Sequence, residues 1–306
     1  MATRDAAGSL TCAAVSKVVL RRRIGLLLVL VGGIVLVLAV TGSDHGGNEG
    51  TAATPRSASV ARKPPVATST LSPNSAAAGL DDAVHKVLSY TPFVTRGGGK
   101  GREVALTFDD GPGPYTPKVL EVLNHRNAKA TFFFIGAQER SFHNATIAQI
   151  GRGHAVGDHT ELHRRLTLLS AADQYDQLLV PTQWLMKYGL PRPVLFRPPY
   201  GAFNQTTLDQ AKRLGLLMVM WTIDSQDYEK PGVEKIVDRV VSGVRPGAII
   251  LMHDGGGDRT QTVKALPKII GRLRARHYHF VTVPELMRDD PPPDGRPLPQ
   301  LSSEGG

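Results

Sequence analysis

Apolar and polar positions divide the chain into zones of different rhythm. Ile24 to Val40 is an uncharged run of 17 residues placed directly after Arg21-Arg22-Arg23. As a helix it spans about 25 Å, enough for the core of a bilayer. It is longer than the core of a signal peptide and ends in Ala39-Val40-Thr41-Gly42, a poor cleavage site. The pattern therefore predicts a retained transmembrane helix with the basic triplet inside and everything after Val40 outside. A cleaved signal peptide, giving a secreted product, is the alternative. Residues 41–78 are rich in Gly, Ala, Ser, Thr and Pro and lack periodicity, which predicts a disordered tether that extends to residue 99. A short helix at Leu80–Leu88 and a Gly-rich bend fit within its end. The tail from Asp289 is again Pro- and Ser-rich and is predicted to be disordered.

Between these ends the rhythm changes. Short apolar runs at Val104–Phe108, Thr131–Ile135, Ala155–Gly157, Val194–Phe196, Leu217–Trp221, Ala248–Leu251 and His279–Thr282 alternate with helical patterns near 116–126, 143–152, 170–188, 204–214, 233–243 and 262–276. Alternation of this kind implies an α/β domain with a parallel sheet, and seven units suit a barrel better than a small open sheet. The expected organisation is a cytoplasmic N-terminus 1–23, an anchor 24–40, a tether 41–99, a catalytic domain 100–288 and a tail 289–306.

Composition narrows the reading without redirecting it. Of 306 residues, 41% are hydrophobic and 21% charged, an ordinary globular mix. Residues 1–99 hold ten Lys/Arg and five Asp/Glu, against 26 and 22 in residues 100–306, so the net charge of +9 is not concentrated on the large domain. No basic stripe interleaved with aromatics is present, which argues against a nucleic-acid partner. Cys12 is the single cysteine, so neither an intrachain disulfide nor a cysteine metal site can form. No feature of the chain calls for an obligate protein partner.

Polar clusters stand at the ends of the expected strands, where barrel chemistry gathers. The first strand ends in Thr107-Phe108-Asp109-Asp110-Gly111-Pro112. Adjacent carboxylates repel and raise one pKa unless a cation relieves them; one could then ligate the cation while the other acts as a base. D-G-P is also an ordinary turn sequence. The third strand runs into Gly157-Asp158-His159-Thr160-Glu161-Leu162-His163, whose two histidines share one face if the segment is helical. With Asp110 they would form a His₂Asp site with one position open, as catalytic zinc sites have. Arg197-Pro198-Pro199-Tyr200-Gly201 closes the fourth strand and offers a rigid guanidinium fork. Asp224 and Asp227-Tyr228 follow the fifth. Leu251-Met252-His253-Asp254 closes the sixth and supplies a histidine suited to acid/base work.

In this order, over residues 101–285, TFDDGP, HTELH, RPPYG, DY and LMH resemble the five motifs of the polysaccharide deacetylase family, the NodB-homology domain or carbohydrate esterase family four. The resemblance implies a distorted (β/α) barrel of about seven parallel strands and a divalent metal, usually zinc, with cobalt or nickel as other choices. Carried over by motif, Asp109 is the base, Asp110, His159 and His163 are the metal ligands, and Arg197 orients Asp109. Asp227 holds His253, the general acid. The Tyr200 backbone N–H faces the oxyanion, Leu251 lines the acetyl pocket and Tyr228 forms a groove wall. Two positions depart from the family pattern: Tyr228 stands where Trp is common, and Asp158 where Asn is common.

Amide hydrolysis needs a nucleophile at neutral pH, a site for oxyanion charge and a proton for the leaving amine. Each has a candidate here. The expectation is a membrane-anchored N-deacetylase of cell-wall sugars, foremost peptidoglycan. Deacetylation of chitooligosaccharides, O-acetyl xylan esterase activity and a non-catalytic glycan-binding module are the alternatives.

Overall fold

The computed structural model describes residues 73–294. The anchor predicted at Ile24–Val40 and the tether up to residue 72 lie outside these residues. Among the described residues no helix is long and apolar enough to cross a membrane.

The described residues form nine strands: β1 (Phe93–Val94), β2 (Glu103–Gly111), β3 (Thr131–Phe134), β4 (Ala155–Asp158), β5 (Leu195–Phe196), β6 (Leu217–Val219), β7 (Ile223–Asp224), β8 (Ile249–His253) and β9 (His279–Phe280). Their order is β1-β6-β5-β4-β3-β2-β8-β7, with β9 beside β2. Every ladder is parallel. The extended stretch 217–224 pairs with β5 through its first half and with β8 through its second. The sheet therefore curls back on itself as a distorted barrel. β1 fills the seam: it pairs with β6, and Arg96 just beyond it bridges Ala248 at the start of β8.

All seven expected strands are present, and all six expected helical patterns form helices: α2 (Thr116–His125), α4 (His143–Gly151), α5 (Ala171–Lys187), α6 (Gln205–Arg213), α7 (Val233–Gly243) and α8 (Thr260–Ala275). Local chemistry explains their ends. Ser170 caps α5 by accepting from the Asp173 amide, and Asn204 with Thr207 forms a capping box on α6; such caps contribute about 1 kcal/mol each. Pro181 sits inside α5, where it removes a helical hydrogen bond at a cost of about 3 kcal/mol.

Three further helices form among the described residues: α1 (Pro73–Leu88), which contains the short helix expected at Leu80–Leu88 and begins earlier, and two that were not expected, α3 (Gly136–Ser141) and α9 (Val283–Asp289). Two of them correct the expected boundaries. Residues 73–99, expected within the tether, carry α1 and β1, because Val84, Val87 and Val94 are buried with Val283, Leu286 and Met287 of α9. The tail expectation is corrected at its start as well. Asp290 is buried, and its carboxylate accepts from the Gly99 and Lys100 amides at 2.6 and 2.9 Å.

Period-two alternation decides which side chains reach the site. Val104, Leu106 and Phe108 of β2 pack with Ile250 and Met252 of β8 against the helices. Ala105 and Ile249 pack on the other face with Phe133, Leu195, Leu217 and Val219. Thr107, Asp109, Leu251 and His253 have the parity of that second face. Asp109 and His253 stand in direct register across the β2–β8 ladder, at the carboxyl ends of both strands.

Candidate active site

Thirteen residues line a pocket at this end of the sheet, among them Asp109, Asp110, His159, His163, Tyr200, Tyr228, Leu251 and His253. Asp109 is buried, and its Oδ1 accepts from Nη1 of Arg197 at 2.8 Å. Its Oδ2 is 3.8 Å from Nε2 of His159. Arg197 is fully buried. Its guanidinium also donates to Val219 O at 2.9 Å, Thr107 Oγ1 at 2.7 Å and Met220 O at 3.2 Å. The ring of Phe133 lies 4.2 Å from its guanidinium carbon. Burial pushes the Arg197 pKa down, and Asp109 opposes that.

Alternation alone would turn Asp110 away from its neighbour. The β2–β3 register shifts between Asp109 and Gly111, and Asp110 takes a left-handed φ of 69°. A bulge of this kind re-aims a side chain. Asp110 Oδ1 then lies 3.1 Å from Nε2 of His163 and 3.5 Å from Nε2 of His159. Burial favours the neutral carboxyl, but the two imidazoles outweigh it and hold Asp110 well below the usual carboxylate range.

The histidines do not share a helix face. β4 ends at Asp158, and 159–163 is a loop with left-handed Thr160 (φ 70°) and His163 (φ 54°). Asp158 Oδ1 accepts from the Thr160 amide at 2.6 Å, and Thr160 Oγ1 accepts from the His163 amide at 3.0 Å. These turns compete with a helix and win. Asp158, one of the two departures from the family pattern, is thus a turn former. Burial pushes its carboxyl well up.

The residues fit a divalent cation. One ligand atom from each of Asp110, His159 and His163 lies within 4.8 Å of the other two. Tetrahedral bonds of about 2.0–2.1 Å put donor atoms roughly 3.4 Å apart, close to the two Asp110 distances. Asp110 Oδ1 is buried with no hydrogen bond. Nδ1 of His159 is 2.7 Å from the carbonyl oxygen of Arg197; a carbonyl can only accept, so Nδ1 carries the proton and Nε2 offers its lone pair.

On the opposite wall, Asp227 grips His253 twice: Oδ1 lies 2.7 Å from Nδ1, and Oδ2 accepts from the backbone amide at 2.9 Å. Thr262 Oγ1 also donates to Oδ2, at 2.7 Å. Burial disfavours the imidazolium, but Asp227 outweighs it and raises the His253 pKa; Asp227 is correspondingly held low.

All ten sequence-predicted residues come together. Leu251 is buried in the pocket wall. Tyr200 stands at the mouth with φ 61°, its ring 4.7 Å from that of His163. Tyr228 sits edge-on to His253 at 5.3 Å, and its hydroxyl donates to Asp224 at 3.0 Å. Sequence reasoning missed Arg165 and Trp221, which also line the pocket. The Arg165 guanidinium lies 5.0 Å from the centre of the Tyr200 ring. It also missed the buried carboxyl of Asp254, pushed up to about 7 by burial and by the charges of Asp110 and Asp109, with Thr116 opposing. Trp221 and Asp254 lie inside stretches singled out for strands and motifs, so their position was the available signal; Arg165 gave none.

The sequence model of the polysaccharide deacetylase family matches residues 96–219. The chain is 42% identical over 188 residues to a peptidoglycan-N-acetylglucosamine deacetylase of Bacillus cereus, covering 60% of this chain and 88% of the relative. It is 36% identical over 200 residues to a chitooligosaccharide deacetylase of Bradyrhizobium, covering 60% and 90%. A crystal structure of a peptidoglycan N-acetylglucosamine deacetylase superposes with a TM-score of 0.64 at 31% identity, covering 67% of this chain and 97% of that one. The chain therefore belongs to the polysaccharide deacetylase family, carbohydrate esterase family four, and is a hydrolase of the amide bonds of N-acetylated sugars.

Proposed function

We propose that the protein is a metal-dependent N-deacetylase of peptidoglycan that releases acetate from N-acetylated wall sugars. The observation that carries this reading is the pair of supported acid/base groups, Asp109 on Arg197 and His253 on Asp227, in one pocket with a three-ligand cluster. Asp110, His159 and His163 would hold the cation, zinc or else cobalt or nickel, which would polarise the acetamido carbonyl and acidify water.

The protein groups do the rest. Asp109, oriented by Arg197, removes a proton from the attacking water. The backbone N–H of Tyr200 helps hold oxyanion charge. Leu251 receives the acetyl methyl, and Tyr228 forms a wall of the sugar groove. Asp227 holds the Nδ1 proton of His253 and leaves Nε2 to protonate the departing amine. Without that proton an amine is a very poor leaving group.

The higher identity to the peptidoglycan enzyme than to the chitooligosaccharide enzyme favours wall glycan over chitin oligomers. The run Ile24–Val40 after Arg21–Arg23 supports a single-pass anchor in the cell membrane with the catalytic domain outside, near such a substrate. The test is acetate release from peptidoglycan strands, chitin oligomers and acetylated xylan, before and after chelation and after zinc is returned. Acetate from peptidoglycan that disappears on chelation and returns with zinc supports the reading. Acetate from xylan alone, or activity indifferent to chelation, overturns it.

A further inference from the structure

Pro181 lies inside α5 and is buried. A residue inside an α-helix donates its amide to the carbonyl four residues earlier, and proline has no amide to give. The carbonyl of Gln177 is thereby left without its helical donor. It accepts instead the amide of Glu161, at 2.9 Å. The side-chain Oε1 of Gln177 accepts the next amide, that of Leu162, at 3.0 Å. Both donors lie between His159 and His163.

That loop needs holding. Thr160 and His163 are left-handed without being glycine, a conformation that persists only where the surroundings impose it. α3 contributes two more bonds, Gly136 N to Thr160 O and Ala137 N to Glu161 O, both 3.0 Å. The peptides between the two histidines are thus fixed both by α3 and by Gln177 of α5. Pro181 also packs against α3: a Cβ at Gly136 would lie 3.1 Å from its Cγ.

We propose that Pro181 is a positioning residue for the metal centre. By withholding an amide from α5 it keeps the Gln177 carbonyl available to Glu161, which fixes where His163 presents Nε2 to Asp110 and His159. The proposal rests on reading those three residues as the metal ligands. Pro267 in α8 is the natural comparison. The carbonyl it frees is that of Val263, which among the described residues takes no backbone amide from outside its helix.

Pro181→Ala returns the missing amide to α5, so Gln177 can close its helical bond and release Glu161. Zinc affinity is measured by competition with a chromophoric chelator, and folding by thermal unfolding of the zinc-free protein. The expected result is unfolding at or above the parent temperature with zinc bound about tenfold more weakly. Pro267→Ala is expected to leave zinc affinity at the parent value. A variant with lactic acid at position 181 has an ester and no amide proton there, and is expected to recover the parent affinity despite lacking the proline ring. Parent affinity in Pro181→Ala, or an ester variant as weak as the alanine one, overturns the proposal. Full zinc occupancy in His163→Ala overturns the ligand assignment itself, and the proposal with it, and separates the two failures.

Discussion

Nη1 of Arg197 and Oδ1 of Asp109 meet at 2.8 Å with almost no solvent on either side chain. A buried carboxylate left without its cation is expensive, typically about 3–5 kcal/mol. Arg197→Met is expected to lose stability on that scale in urea unfolding, although methionine fills much of the volume. Adding Asp109→Asn removes the stranded charge, so the double variant is expected to be more stable than Arg197→Met alone. A double variant weaker than the single one would show that the hydrogen bonds of Arg197 to Val219, Met220 and Thr107 matter more than its charge.

The roles of the adjacent aspartates separate by metal content. His159→Ala and His163→Ala are expected to lose the metal and the activity together. Asp109→Asn is expected to keep the metal and lose about 10²–10⁴-fold in turnover, the usual contribution of a general base. Metal analysis alongside acetate release reads both. Loss of metal in Asp109→Asn would mean that Asp109, and not Asp110, is the ligand.

Asp227 raises the pKa of His253 against the effect of burial. An acid must be protonated to act, so activity is expected to fall as pH rises through that pKa, above the ordinary histidine value of about 6.5. Asp227→Asn removes the charge that favours the imidazolium and is expected to move this alkaline limb to lower pH. His253→Ala is expected to impair amide cleavage far more than cleavage of an activated aryl acetate, whose leaving group needs no proton. An unmoved limb, or equal losses on both substrates, counts against the acid role.

Arg165 adds a cation to the pocket wall beside the exposed ring of Tyr200. A glycan carrying carboxylates next to the reacting sugar gains from it, and a neutral glycan does not. Arg165→Gln is expected to raise KM for peptidoglycan strands several-fold at low salt, with kcat nearly unchanged, and to leave KM for chitin oligomers alone. Equal effects on both substrates would mean that Arg165 shapes the Tyr200 wall and does not select charge.

The barrel was legible because its long strands, such as Val104–Phe108 and Ala248–Leu251, are apolar runs, and because each site motif sits where a run ends. What escaped had no periodicity to reveal it. β1 and β7 are two residues each, and the six residues of α3 carry no apolar stripe. Asp290 reads as tail until the Gly99 and Lys100 amides, far away in sequence, are seen to bond it. The spacing of His159 and His163 suggested a helix, and the Asx turn at Asp158 made a loop of it. Pro181 reads as a helix defect until Glu161 is placed beside it.

The seam closed by β1 has a temporal consequence. Its bonds join partners remote in sequence: Met220 N to Val94 O and Gly97 N to Gly247 O. The β2–β3 ladder needs only the short excursion through α2. Loop-closure entropy therefore favours assembly of β2, β3 and β4 first, with the circumference completed last. The same stitches are expected to part first in the native ensemble, so the amides of Met220 and Gly97 are expected to exchange with solvent sooner than those of the β2–β3 ladder. Trp221, a pocket-lining residue, directly follows Met220. The groove wall is thus tied to the part of the barrel that closes last, while Asp109 is carried by the part that forms first.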